Sequence, residues 1–417
     1  MMGRRKDKKT QAGFTLIELM VAVFVGAIVI YGVYSIFSSS QRIFHEEQRI
    51  SQAQLAARLG MEVVKNDIKR MGYMMSPNID RDPLVCNNAG GPALVRIHPV
   101  EHINGTAGQV FTAAGGTAPI IEPAANWGIA PDAVYLAGNY TSSVGYLAQT
   151  ILTGTGQVQL QDIGRRRLPG EAPATYVPVL PTQQEFERMF PDDGYLRVVN
   201  KFGYMMFAEI NGIPNLATRT IRVTGGNLPD ASLGNVACGI HGYGEGSEVN
   251  VVNRVLYRIE VDQSPGAPAG KTDLVRWQVD ENDVPVPNSR EIIVEFAVDF
   301  QVWFRMNTPV GGVGSEPQVE FMMDVPADNV VVIPGTGGGV PPVLDGTLNA
   351  QPERLRVAII RISVRSDVED PTFPFIARTN ANDPLWRFEL SAAATGSAHV
   401  RTLISQVELT NIAFRNL

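Results

Sequence analysis

Residues 14–37 read FTLIELMVAVFVGAIVIYGVYSIF, an apolar run interrupted by one charge, Glu18. At about 1.5 Å of rise per residue the run would reach about 36 Å as a helix, enough for a hydrocarbon core of about 30 Å. Ahead of it stand Arg4, Arg5, Lys6, Lys8 and Lys9 against Asp7, a net charge of +4. A basic flank of this kind stays cytoplasmic, which sends everything after Phe37 to the periplasm or its equivalent. Three readings compete. A cleaved secretory signal has a shorter apolar run followed by an A-x-A-like site, and Ser35–Ser40 (SIFSSS) makes a poor one. A plain signal anchor explains the run but not an acid near its start. A charge there costs about 2.5 kcal/mol or more on insertion scales, so a function is expected for it.

The third reading uses every residue. Lys8-Lys9-Thr10-Gln11-Ala12-Gly13 followed by Phe14-Thr15-Leu16-Ile17-Glu18 resembles the class III signal of type IV pilins and type II secretion pseudopilins. In that family a membrane peptidase cuts after the glycine and N-methylates the new terminal phenylalanine, and a glutamate stands fifth in the mature chain. The resemblance implies a cleaved leader over 1–13, a cut between Gly13 and Phe14, methylation of Phe14 and an assembly role for Glu18. A glycine lets a protease approach the scissile bond with no side chain in the way. Cutting ahead of the apolar run keeps the anchor, so the protein is still extractable into a filament. Glu18 is costly in lipid unless paired, and an α-amino group at Phe14 of a neighbour is a suitable partner.

Beyond the run, residues 38–71 contain no proline and one glycine, Gly60. Ile43, Ile50, Ala57, Val64 and Met71 recur every seven, flanked by Met61 and Ile68, with Glu46, Glu47, Arg49, Arg58 and Lys65 off the stripe. This predicts an amphipathic helix continuous with the membrane span, with 14–37 as its transmembrane half and 38–75 as its amphipathic half. The stripe is expected to serve both the head and filament contacts.

All 28 prolines then fall at Pro77 or beyond, and helix gives way to short strands and loops. Period-2 patterns predict strands over Arg254–Asp262 and, continuously, Glu291–Arg305. Leu274–Val279, Val319–Val325, Arg356–Arg365 and Val400–Phe414 are further candidates. The stretch 76–250 reads as a loop-rich β subdomain or insertion, irregular over 88–250. The stretch 251–417 reads as the β-sheet of the head. A long helix laid on an antiparallel sheet is the α+β pilin plan. Pro352-Glu353-Arg354-Leu355-Arg356 and the closing Val407–Asn416 are similar to PilW-family minor pilins, relatives of the J-type pseudopilins. That resemblance implies a minor pilin of a type IV pilus, acting in a priming or tip complex and serving adhesion and motility. Its partners would be the prepilin peptidase, other minor pilins and the major pilin, the inner-membrane assembly platform and a tip adhesin. Its place would be the inner membrane, single-pass with a periplasmic head, and then the pilus at the cell surface. A minor pseudopilin of type II secretion is the alternative. A membrane-anchored periplasmic hydrolase or lectin, the third class, would need a concave polar site within 88–250.

The net charge of −7 becomes −7 − 4 = −11 without the leader, which argues against a general nucleic-acid binder. Cys86 and Cys238 lie beyond the membrane run and read as one disulfide in an oxidising compartment, the alternative being two buried thiols. Gly266-Ala-Pro-Ala-Gly270-Lys271-Thr272 is one residue short of a P-loop and precedes a strand-like stretch where a helix is needed, so it reads as a hairpin loop. His98 and His102 sit at H-x₃-H, but Pro99 forbids the helix that would align them, and they read as loop histidines. Asp280–Asp283 and Asp367–Asp370 are calcium candidates that lack EF-hand spacing and read as solvated turns. No cofactor is expected, and no arrangement of nucleophile and base supports an enzyme.

Overall fold

The computed structural model describes residues 15–79, 82–86, 97–103, 110–113, 116–119, 131–141, 145–161, 182–192, 194–224, 243–262, 264–268, 270–280, 283–308, 318–321, 352–371, 373–376, 385–389 and 396–413. The chain divides into two units, one ending at Gln52 and one spanning Ala53–Leu417. The N-terminal helix runs Leu16–Arg70. In the first unit its apolar side chains, among them Leu16, Ile17, Phe24, Ile30 and Phe37, stand exposed. The helix has an 18-residue window of mean hydropathy 2.5 with none of it buried, so by length and composition it is able to cross a membrane.

In the second unit the last turns of this helix become part of a core. Ala57, Met61, Val64, Ile68 and Met71, spaced alternately four and three, are buried against Val255, Tyr257 and Ile259, and against Phe300, Val302, Ala358 and Ile360. That spacing keeps one helical face turned to the sheets. At Gly60 the helix packs closely on the strand Glu291–Val294: a Cβ there would lie 2.0 Å from Val294 Cγ2. Just beyond the helix end stands Gly72, whose φ of +74° is left-handed and favours glycine. The Gly72 N–H donates to the Ala137 carbonyl at 2.9 Å. Asn411, in a short helix Thr410–Ala413, donates its side-chain amide to the Lys69 carbonyl at 2.5 Å. A helix C-terminus leaves such carbonyls without intrahelical donors.

Two antiparallel sheets receive the helix. The first is organised on the 14-residue strand Glu248–Val261. Its first half pairs with Tyr146–Leu152 and Tyr195–Val199, and its second half with Ala133–Gly138 and Thr272–Val279. The second sheet runs Gln318–Phe321, Ala297–Thr308, Leu355–Arg365, Ala398–Glu408 and Arg387–Phe388. Long N-terminal helix and antiparallel sheets together make the expected α+β pilin-like fold.

Four details differ from expectation. Glu291–Arg305 is two strands, Glu291–Val294 and Ala297–Thr308, one in each sheet. The break is Phe296, at φ +56°, a conformation a non-glycine residue seldom adopts. Lys271 Nζ and the Arg365 guanidinium carbon lie 5.2 and 5.0 Å from its ring centre, which helps to hold it there. The strand Glu248–Val261 crosses the boundary expected at 250, so strands from 76–250 share a sheet with those that follow. The C-terminal strand stops at Glu408, where the chain turns into the short helix. His102 lies in the strand Val100–Ile103, not in a loop.

Candidate functional site

The cut expected between Gly13 and Phe14 lies outside the described residues. The structure begins at Thr15, and the first helical turn shows what Glu18 does there. The Thr15 backbone N–H and its hydroxyl both donate to Glu18 Oε2, each at 2.9 Å. The Glu18 N–H donates back to Thr15 Oγ1 at 3.4 Å. This reciprocal arrangement is a capping box, in which side chains satisfy amides that have no carbonyl a turn earlier. The carboxylate also stands at the positive end of the helix dipole. Glu18 Oε1 accepts no hydrogen bond among the described residues. One carboxylate oxygen is therefore held and the other presented. Reading the run for hydropathy alone passes over Thr15, although Thr-x-x-Glu ahead of an apolar stretch is the sequence signature of such a cap.

At its far end the helix is fastened by charge. Asp67 Oδ2 accepts from Tyr257 Oη at 2.6 Å and Arg276 Nε at 2.7 Å, and Arg276 also reaches Glu291 at 3.2 Å. Tyr140 Oη donates to the Asp67 carbonyl at 3.3 Å. Burial, and then the Asp67 carboxylate, push the Tyr257 phenol well above its ordinary range, so it stays a donor. A second tie joins the sheets: Asp132 Oδ2 accepts from the Val302 N–H at 2.8 Å and lies 3.0 Å from His102 Nε2.

The remaining sequence candidates separate. Cys86 is buried, accepts the Tyr243 hydroxyl at 3.3 Å and is disulfide-bonded; Cys238, the only other cysteine in the sequence, lies outside the described residues. The P-loop lookalike connects Glu248–Val261 to Thr272–Val279 as a hairpin, and Lys271 is engaged by Asp262 at 2.9 Å and Glu295 at 3.2 Å. Of the calcium candidates, Asp280 accepts the Val284 N–H, Asp283 pairs with Arg254, and Asp370 lies 3.4 Å from His399. Among the described residues, no group of three or more His, Cys, Asp or Glu side chains is placed to hold a metal ion.

Residues 8–34 fit the family model described as the prokaryotic N-terminal methylation motif. No curated protein and no solved structure matches the chain. The match falls on the segment that holds the expected cut and the capping box. The chain thus carries a type IV prepilin-like signal ahead of an apolar helix, the mark of a membrane-anchored protein, on a pilin-like fold.

Proposed function

We propose that this chain is a minor pilin of a type IV pilus, similar to PilW-type subunits, that is cut after Gly13 and acts in a priming or tip complex. The observation that carries the reading is the methylation motif at 8–34, heading a helix whose apolar stretch has no buried residue. A helix hydrophobic all round needs lipid or other helices about it. Cleavage ahead of that stretch leaves it available first to the membrane and then to a filament. The size of the head, with strands from 76–250 added to the sheet, supports display of a bulky surface more than a tightly repeating shaft. The partners are then the prepilin peptidase in the inner membrane and, after processing, other pilins and the assembly platform.

Deletion followed by pilus counting and a secretion assay tests this. Loss or strong reduction of pili with secretion intact is the expected result. Normal pili with failed secretion would overturn the reading and make the chain a type II secretion pseudopilin.

A further inference from the structure

Asn211-Gly212 follows the strand Met205–Glu209 and opens the loop that leads to the strand Thr220–Arg222. We propose that Asn211 is a latent modification site, where an isoaspartyl link forms, and that Asp192 restrains it. The proposal is independent of how the N-terminus is processed. Asparagine is among the thermolabile side chains, and a following glycine puts no side chain in the way of its own nitrogen. In the reaction, solvent hydroxide takes the proton from the Gly212 nitrogen, which bonds to Asn211 Cγ. The bond from that carbon to the side-chain nitrogen breaks, and ammonia leaves with a proton returned by water. Water then opens the cyclic imide at either carbonyl, and the Gly212 nitrogen regains a proton. Opening at the original main-chain carbonyl leaves the chain running through the side chain of residue 211, one methylene longer.

The structure exposes one reactant and holds the other. Asn211 is exposed, and its side chain makes no hydrogen bond among the described residues. Gly212, at φ +89°, donates its N–H to Asp192 Oδ1 at 2.6 Å. A hydrogen bond to the protonated form and a like charge beside the developing anion both oppose loss of that proton. The rest of the loop is tied to the helix Gln183–Met189. The Gln183 side chain donates to the Pro214 carbonyl at 2.7 Å and accepts the Leu216 N–H at 3.0 Å. A longer main chain at 211 would carry the Gly212 N–H off Asp192 and displace Ile213, which stands exposed between these ties.

Full-length wild type, Asp192→Asn and Asp192→Ala would be purified in detergent and held at neutral pH and growth temperature. Digests taken over time would be read by mass spectrometry for the gain when –NH2 becomes –OH, and for the paired peaks of aspartyl and isoaspartyl peptides. The peptide with Asn104-Gly105, the other Asn-Gly in the sequence, serves as reference. Folded wild type should convert at 211 more slowly than the same chain in urea. Either Asp192 variant should convert there about tenfold faster, as losing a hydrogen bond to a charged group predicts, with the reference unchanged. Added salt should speed conversion in wild type, where it screens Asp192, and not in Asp192→Asn.

Rates at 211 that rise in neither variant, or a wild type that converts equally fast folded and in urea, would overturn the restraint. A rise shared by Asn104-Gly105, or a wild-type rate indifferent to salt, would overturn it too, by tracing the effect to a loosened fold. Absence of product at 211 even in urea would overturn the site itself.

Discussion

Tyr257 reaches across from the first sheet to donate its hydroxyl to Asp67, in the N-terminal helix, at 2.6 Å. Arg276 shares the same carboxylate oxygen, so the last turns of the helix are held to the head by charge as well as by apolar packing. The two contacts differ in what their loss leaves behind. Tyr257→Phe removes one hydrogen bond and should cost about 1 kcal/mol. Arg276→Ala leaves Asp67 in a mostly buried place without its cation and should cost about 3 kcal/mol. Urea unfolding of the detergent-solubilised chain would measure both, and equal losses would contradict the ranking.

At Gly60 two effects oppose each other. Alanine improves helix propensity by about 1 kcal/mol over glycine. Its methyl, however, would sit 2.0 Å from Val294 Cγ2 and 3.2 Å from the Ile293 carbonyl. Overpacking of that kind costs about 1–3 kcal/mol, so Gly60→Ala should destabilise the head. Combining it with Val294→Ala should cost less than the sum of the two single changes. Strict additivity in unfolding midpoints would show that the helix moves away instead.

How far the sequence discloses this fold depends on whether a feature is local. The stripe Ala57, Met61, Val64, Ile68 and Met71 is legible because one helical face repeats along a continuous stretch. So is the strand Leu355–Arg365, as expected within one residue. The break at Phe296 is not legible, since Ile292, Val294, Phe296 and Val298 continue an unbroken alternation. The groups about the Phe296 ring, Lys271 and Arg365, are distant in the chain. Ala133–Gly138 is likewise hidden: all six residues are buried, so both faces of the strand are apolar or small and no alternation shows. In the candidate site, Glu18 stands out as a charge in an apolar run. Thr15 looks like an ordinary member of that run until its bond to Glu18 is seen.

Cys86 and Cys238 should be found joined. The link would close about 150 residues, for which chain entropy gives roughly 5 kcal/mol as an upper figure. A non-reducing proteolytic digest should yield one cross-linked peptide containing both cysteines. Alkylation of both thiols in the absence of reductant would refute the pairing.

Raising pH should unfold the head through its tyrosines. Burial, with Asp283 adding to it, pushes Tyr135 up to about 12, and burial drives Tyr140 and Tyr257 well above the usual phenol range. Folded values above the unfolded value of about 10 mean that the neutral phenols stabilise the fold fully below pH 10. That contribution is lost as pH rises from about 10 towards 12. Tyrosinate absorbance should therefore show a late phase coincident with loss of near-ultraviolet circular dichroism. A single phase near pH 10 with the fold intact would contradict the burial of these rings.

Substitution of Gly13 should separate processing from folding. Gly13 precedes the first helical residue, Leu16, and belongs to the segment that fits the methylation motif. If the peptidase needs close access to the backbone there, any side chain obstructs it in proportion to its size. Gly13→Ala should slow maturation and Gly13→Leu should stop it, leaving on a blot only the precursor, heavier by the thirteen leader residues. Because the substitution lies ahead of the helix and outside the head, the urea midpoint of the unprocessed Gly13→Leu chain should match that of wild type. The precursor should remain in the membrane fraction and be missing from sheared pili, since an uncut chain has no α-amino group at Phe14 to meet a carboxylate. A Gly13→Leu chain that matures normally would move the cut elsewhere. One that fails to mature and also unfolds at lower urea would show that the segment serves the fold, and that the block is indirect.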